Sequence, residues 1–336
     1  MHTAIAGNIG SGKTTLTTKL AKHYKHPGLA KQAVIFLKAA TTTNPKFYVA
    51  YFELANFFRN EHKFDEAIVQ YKKAIEANPK YVEAYLNLGN IFKERKNFDE
   101  ALKMYQKSSE INPNFLEANY NISQVYLELR KLDLSLQHLT KILEKKSNSA
   151  KLHIKIGNNH LLQKRYELAE EFYKKGINLR ESNIQNSNQN NNELNTGESI
   201  GFYSDKGLTE IYNNLAAALR FLNKDNESLT YIKKALEIDS NNFNANLNFA
   251  TMLLLDGDYK EAYKIYEKFK NSPKMTLGNF FNSQLQMIPI PHSNDEIEQY
   301  RKILLSNIKD LKLKKFTAIN NEGNDTNPLF FISYHN

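Results

Sequence analysis

The chain has 336 residues, a formal net charge of +9, no cysteine and 41% hydrophobic residues. This length suits one long domain or two ordinary ones, and the lack of cysteine excludes a disulfide framework and cysteine-ligated metals. No stretch is long and apolar enough to span a membrane and the first residues lack a signal-peptide pattern, so we expect a cytoplasmic protein with no membrane partner. The lysines are dispersed and accompany no nucleic-acid motif, which argues against specific nucleic-acid binding.

The first motif is a glycine-rich loop, GNIGSGKT, that follows a short apolar run. In such a loop backbone N–H groups surround phosphate oxygens, while the lysine meets the outer phosphates and the threonine holds Mg²⁺. Residues 1–24 resemble the opening of a bacterial deoxynucleoside kinase, and the resemblance implies Mg-ATP as a cofactor at the motif. The residues that would hold it are Gly7, Gly12, Lys13 and Thr14.

The surroundings that a kinase needs do not follow this loop. No later segment alternates strands and helices, as the parallel sheet of a nucleotide kinase requires. A single strand before the loop has no sheet to join. We therefore expect residues 1–13 to form an isolated strand and phosphate loop, and we favour a chain without a cofactor. Nucleotide-dependent phosphoryl transfer stays open as the alternative.

A repeat of about 34 residues organises the chain after this segment. Pro45, Pro79 and Pro113 are equally spaced at this period, and each follows an asparagine. Within one period, apolar residues recur at three- and four-residue spacing in two blocks, as on the faces of two helices. In the second repeat these blocks predict helices over residues 82–95 and 98–111, the latter ending before Asn-Pro because a residue before proline disfavours helix.

Small and aromatic residues form columns at the same period. Gly89 lies in a small column of first helices, and Ala101 lies in a small column of second helices. Because antiparallel helices approach closely only where side chains are small, we expect Gly89 and Ala101 to face each other. The aromatic columns, such as the one with Tyr105, are expected to fill the space between hairpins.

These columns resemble the tetratricopeptide repeat (TPR) family. The resemblance implies an all-α, right-handed solenoid of helical hairpins that binds extended peptides along its concave face. The family pattern is matched in the second repeat by Tyr85, Leu88, Gly89, Phe92, Ala101, Tyr105 and Pro113.

The period also sets the expected boundaries of the chain. Residues 14–45 fit a degenerate first hairpin, and residues 46–183 and 209–273 fit regular repeats. Between the two arrays the period is displaced by 25 extra residues, which contain the polar run NIQNSNQNNNELNTGES. We expect residues 184–208 to be a disordered insertion, because so few apolar side chains cannot form a core.

Asparagines recur in two neighbouring columns of the first helices. An amide side chain offers a donor and an acceptor together, so it can bind a peptide backbone without reading side chains. Proteins resembling O-GlcNAc transferase use such an asparagine ladder, although asparagine is also abundant throughout this chain. The predicted peptide groove consists of Asn56, Asn87, Asn90, Asn121, Asn158, Asn214 and Asn248.

No arrangement typical of a catalytic or metal site accompanies the repeats. His153 and His160 lie on the expected packing face of the fourth repeat, and no further histidine or carboxylate has a matching spacing. We expect them to pack in the hairpin, and we predict no metal.

After residue 273 the period is lost, and residues 274–336 read as a helical linker that ends with the strand-like sequence LFFIS. This stretch resembles the junction in bacterial TPR-containing glycosyltransferases of the O-GlcNAc transferase/SPINDLY-like group, which implies a catalytic domain beyond Asn336. The leading hypothesis is a peptide-binding scaffold, not itself an enzyme, that recruits substrates for a glycosyltransferase. The alternatives are a phosphate-loop kinase or a fusion of two gene fragments.

Overall fold

The computed structural model describes residues 27–190 and 205–269, together with residues 272 and 302. These residues form thirteen α-helices and no strand, in two compact units, Met1–Asn148 and Ser149–Asn336, which we treat separately. The predicted strand and phosphate loop, with Gly7, Gly12, Lys13 and Thr14, lies outside the described residues. The predicted linker, apart from residue 302, does too.

From residue 27 onward the first unit has one helix followed by three helical hairpins, α2–α3, α4–α5 and α6–α7. Helix α1 is the second helix of the predicted degenerate repeat, and it packs on α2 through Leu37. The helix expected over residues 82–95 ends one residue early, and the one over 98–111 is confirmed. The helices are α1 Pro27–Thr43, α2 Tyr48–Asn60, α3 Phe64–Ala77, α4 Val82–Glu94, α5 Phe98–Ile111, α6 Leu116–Glu128 and α7 Leu132–Lys145.

The second unit contains three hairpins, α8–α9, α10–α11 and α12–α13. Its helices are α8 Ala150–Leu162, α9 Tyr166–Asn190, α10 Asp205–Phe221, α11 Asp225–Ile238, α12 Phe243–Leu255 and α13 Tyr259–Phe269. The predicted insertion, 184–208, is therefore helical at both ends, and residues 191–204 lie outside the described part. A helix that is already nucleated extends at little cost, which is why polar residues can continue α9 beyond its packed portion.

Every hairpin turns through one residue in the left-handed conformation. In the second repeat this residue is Lys96, with φ 58°, and the next amide, Asn97 N–H, donates to the Phe92 carbonyl at 2.8 Å. Such a bond caps the carbonyls left over at a helix C-terminus. The other left-handed turn residues are His62, Arg130, Lys164, Asn223 and Gly257.

The second helix of a repeat ends at the asparagine before proline, as predicted. The Asn78 and Asn112 side-chain oxygens each accept a hydrogen bond from the amide two residues later, at 3.1 and 3.0 Å. This side-chain turn and the restriction before proline stop the helix at the same point in successive repeats. No helix among residues 27–190 and 205–269 combines the length and apolarity needed to cross a membrane.

In two hairpins a glycine of the first helix lies against a tyrosine ring of the second. A Cβ built on Gly89 would lie 2.6 Å from the Tyr105 ring, and one on Gly157 would lie 3.0 Å from the Tyr173 ring. The atoms nearest to Gly89 thus belong to Tyr105, which lies one helical turn beyond Ala101 on α5. Glycine provides space for a fully buried tyrosine, because a Cβ at this position would overlap the ring.

The second unit contains an ion network around one nearly buried carboxylate. Glu170 on α9 binds the ammonium groups of Lys174 and Lys224, each at 2.8 Å, and Lys174 also binds Glu227 of α11 at 2.9 Å. Burial opposes ionisation of Glu170, but the hydrogen bonds from both lysines outweigh it and hold its pKa below 4.5. The network connects α9 to the start of α11.

We expect Gly89→Leu to destabilise the chain by about 3 kcal/mol, because the new side chain overlaps the buried Tyr105 ring. Urea unfolding followed by circular dichroism measures the change. Lys103→Leu, at an exposed position of α5, is the control and should change stability by less than about 0.5 kcal/mol. Equal effects of the two substitutions would contradict the close helix approach at Gly89.

We expect Glu170→Gln to lower the free energy of unfolding at neutral pH by about 1–3 kcal/mol. A carboxylate whose pKa is lower in the folded state stabilises the protein above its unfolded pKa, and this contribution disappears as the pH falls through the folded pKa. The wild-type chain should therefore lose more stability than the variant between about pH 6 and 3. Parallel pH profiles of the two proteins would show that the network does not contribute.

Candidate functional site

The seven asparagines of the predicted groove all lie on first helices of the repeats. In the first unit Asn56 is on α2, Asn87 and Asn90 are on α4, and Asn121 is on α6. The second unit carries the remaining three, Asn158, Asn214 and Asn248. The structure thus places the two predicted columns side by side, and hydrogen bonds join asparagines of one column to asparagines of the other.

Each cluster in the first unit joins a tyrosine and two asparagines from consecutive repeats. The Tyr71 hydroxyl donates to the Asn56 side-chain oxygen at 2.6 Å, and the Asn87 amide donates to the same oxygen at 3.1 Å. One repeat later, the Tyr105 hydroxyl and the Asn121 amide donate to the Asn90 oxygen at 2.8 and 3.1 Å. These bonds connect the two helices of a hairpin and the first helix of the next one.

The second unit repeats this arrangement once and varies it once. Asn158 accepts hydrogen bonds from the Tyr173 hydroxyl at 2.6 Å and from the Asn214 amide at 3.2 Å. The Asn248 amide instead donates to Asn213 at 2.8 Å, a residue that the sequence prediction missed. The 25-residue displacement between repeats therefore does not interrupt the pairing of Asn158 with Asn214.

The tyrosine hydroxyls of these clusters remain protonated donors. Burial raises the pKa of Tyr71 to about 12, although the positive charge of Arg59 acts in the opposite direction. Burial also raises the pKa of Tyr105, and the negative charges of Glu94, Glu128 and Glu117 add to the effect. A neutral phenol that donates to an amide oxygen is the stable form throughout the physiological range.

The sequence contains a signal for the clusters in the constant interval between each asparagine and its tyrosine. Where the second helix has Leu139 in place of tyrosine, the first helix has Gln124, and where it has Ile232, the first helix has Ala217. The hydrogen-bonding partners are thus lost together within this chain. The aromatic column was predicted to pack, which is confirmed, but the role of its hydroxyls was missed.

Two of the asparagine pairs, Asn90–Asn121 and Asn158–Asn214, still present one donor and one acceptor that no other described residue uses. The Asn90 amide group and the side-chain oxygen of its partner, Asn121, make no further hydrogen bond within the described part of the chain. The same holds for the amide of Asn158 and the oxygen of Asn214. Two residues together, rather than a single amide, therefore offer the complementary groups that the sequence assigned to each asparagine.

Carboxylates surround the clusters of the first unit. Glu94, Glu117 and Glu128 are exposed and are close enough to act on the Tyr105 hydroxyl. Glu53, half-buried beside Asn56, has a pKa raised by burial, and the hydrogen bond from Asn56 only partly opposes this. None of the four forms a salt bridge with a cation among the described residues. The first helices of this unit therefore present a predominantly negative surface.

The two histidines of the fourth repeat are buried, as predicted. His153 and His160 lie with their ring centroids 5.9 and 5.4 Å from that of Phe172, on the second helix of the same hairpin. Burial lowers the pKa of both histidines. Across residues 27–190 and 205–269, no group of three or more histidine, aspartate or glutamate side chains could hold a metal ion.

Family models identify the helical hairpins. A model described as "TPR repeat" matches residues 55–95, and models described as "Tetratricopeptide repeat" match residues 82–115, 150–183 and 209–242. The chain contains tetratricopeptide repeats. The last two matches leave residues 184–208 between them unmatched. No curated protein sequence matches the chain.

Solved structures show the same TPR architecture. The pilF protein of Pseudomonas aeruginosa has 19% identity and a TM-score of 0.51, over 69% of this chain and 90% of its own. A tetratricopeptide repeat protein from Parabacteroides merdae has 17% identity and a TM-score of 0.50, over 87% and 98%. The Cut9–Hcn1 hetero-tetramer of the APC/C has 13% identity and a TM-score of 0.50, over 90% and 52%. At these identities the likeness establishes the fold alone.

We expect Tyr105→Phe to destabilise the chain by about 1 kcal/mol, because Asn90 loses a buried hydrogen bond while the ring stays in place. Chemical unfolding measures the change, and a double-mutant cycle with Asn90→Ala isolates the coupling. Tyr85→Phe is the control, since the Tyr85 hydroxyl has no hydrogen-bond partner among the described residues. A cycle without coupling energy would contradict the cluster.

Proposed function

We propose that this chain is a protein-binding scaffold whose first helices hold an extended peptide segment by its backbone. The observation that supports this proposal is the pairing of Asn90 with Asn121 and of Asn158 with Asn214. Each pair leaves one amide donor and one amide oxygen to a partner, and a peptide unit has the complementary acceptor and donor. Because each pair is held by a buried tyrosine, binding requires little ordering of these side chains.

The charges of the first unit favour a basic segment over an acidic one. Glu94, Glu117 and Glu128 are exposed around the Asn90–Asn121 pair and form no salt bridge with a described residue. A partner with lysine or arginine side chains gains attraction there, and salt weakens this contribution. The backbone contacts supply binding without a strict sequence requirement, while the carboxylates bias the choice of partner.

We also propose, on the resemblance of residues 274–336 and of the asparagine columns, that the chain recruits substrates for a glycosyltransferase domain. The catalytic residues of such a domain are not part of this chain. The alternative, a deoxynucleoside kinase-like activity with Mg-ATP, depends on Gly7, Gly12, Lys13 and Thr14 alone. No described residue supplies the sheet that would support these four, so we favour the scaffold.

We expect the double variant Asn87→Ala/Asn121→Ala to lose at least about tenfold in affinity for peptides selected from an array of basic ten-residue sequences. Fluorescence anisotropy measures the affinity, and N-methylation of one peptide bond of the ligand should weaken binding similarly, because it removes a backbone donor. The control, Asn148→Ala/Asn241→Ala, removes two exposed loop asparagines and should bind as the wild type does. Unchanged binding by a folded Asn87→Ala/Asn121→Ala variant would refute backbone recognition by the pairs.

A further inference from the structure

A second candidate site lies in the first unit, away from the asparagine clusters. An open cavity of about 580 Å³ is bounded by α1 and α3, and α2 forms its floor. The floor consists of Tyr51, Leu54 and Phe58, and the exposed Val69 adds to the apolar lining. We call this cavity the α1–α3 slot. Its volume is within the range of pockets that hold small ligands or peptide side chains.

The equivalent position one repeat later is filled by side chains. In that repeat Ile75 takes the place of Thr41 and Met104 takes the place of Gln70, and both of these longer apolar residues pack into the core. In the α1–α3 slot the Thr41 hydroxyl bonds back to its own helix, at the Lys38 carbonyl. The slot is therefore open because two residues of the repeat pattern have been replaced.

The repeat after that shows that polar residues at these positions can also close the space. There the equivalents are Ser109 and His138, and both bind Asn119, at 3.1 and 2.9 Å. Thr41 and Gln70 form no such network, because Tyr51 occupies the position of Asn119. Gln70 is half-buried, and its amide makes no hydrogen bond to any other described residue.

The charges at the slot favour an anion. Lys38 and Lys73 line it, and neither forms a salt bridge with a described residue; the Lys73 ammonium lies 5.9 Å from the centre of the Tyr51 ring. Among the described residues, the one acid in the lining is Glu66, which precedes Lys73 by two helical turns and is thus about 10 Å away along α3. At the equivalent position of the next repeat the residue is Glu76, whereas the slot has the uncharged Thr42 there.

We propose that the α1–α3 slot binds the C-terminal residue of a peptide. Its apolar side chain lies on the floor beside Leu54 and Phe58, and its carboxylate binds Lys38 and Lys73. The last peptide unit hydrogen-bonds to the Gln70 amide, which can both donate and accept. This site is independent of the backbone contacts proposed for the first helices. It recognises the C-terminal residue of a peptide, whereas those contacts bind its internal residues.

The test uses the full chain and a fluorescein-labelled peptide, Gly-Ser-Gly-Ser-Leu, with either a carboxylate or an amide at its C-terminus. Fluorescence anisotropy measures binding of each peptide. We expect the peptide with a free carboxylate to bind saturably at roughly millimolar concentration or below, and the peptide with a C-terminal amide to bind about three- to tenfold more weakly. The Lys38→Gln/Lys73→Gln variant should bind the carboxylate peptide only as strongly as the wild type binds the amide peptide. Equal binding of the two peptides would overturn the proposal.

A variant whose side chains fill the slot provides a second test. Thr41→Ile/Gln70→Met installs the side chains that the next repeat uses, so it should fold with an unchanged or higher melting temperature and lose binding of the acid. Lys72→Gln/Lys107→Gln removes the two exposed lysines at the equivalent positions of the next repeat, so it is the matched control and should bind the labelled acid as the wild type does. The proposal fails if the filled variant retains binding, or if the control loses binding as much as Lys38→Gln/Lys73→Gln does.

Discussion

The repeat architecture depends on the buried contact between the two helices of a hairpin, which at Gly89 and Gly157 joins a residue without a side chain to a tyrosine ring. Gly89 and Gly157 let the rings of Tyr105 and Tyr173 approach the backbone of the first helix, where a Cβ would collide with them. This close approach fixes the crossing of the two helices in a hairpin. In these two hairpins the core forms around a tyrosine that has no exposed surface.

The same contact positions the groups that we assign to recognition. A tyrosine ring that is fixed in the core holds its hydroxyl at one place, and that hydroxyl holds the oxygen of Asn90 or Asn158. Each of these asparagines in turn binds the first helix of the following repeat. Stability and presentation of the amides are therefore coupled, because the tyrosine hydroxyl fixes the position of the remaining donor and acceptor in the Asn90–Asn121 and Asn158–Asn214 pairs.

Departures from the repeat pattern are as informative as its regular positions. Leu139 and Gln124 replace a tyrosine and an asparagine together, so the hydrogen-bonded cluster is absent from that hairpin. Thr41 and Gln70 replace two core residues and leave an open slot, whereas Ser109, Asn119 and His138 close the equivalent space with hydrogen bonds. A periodic fold makes such local changes easy to identify, because the neighbouring repeats show what each position normally does.

The sequence alone determined the class of fold and, to within one residue, the two helices of the second repeat. It could do so because apolar spacing, small columns and Asn-Pro stops are local or strictly periodic features, and these repeat along the chain. It also placed the asparagines on the first helices, but it treated each amide as a separate contact.

Only the tertiary structure decided which side chains meet. It brought the Tyr105 ring against Gly89, joined asparagines of consecutive repeats, and left the space beside Tyr51 unfilled. These outcomes depend on the packing of three helices at once, and on the lengths of side chains that approach from different repeats. A pattern along one chain records which positions are buried, whereas the distance between two of them is set by everything packed around both.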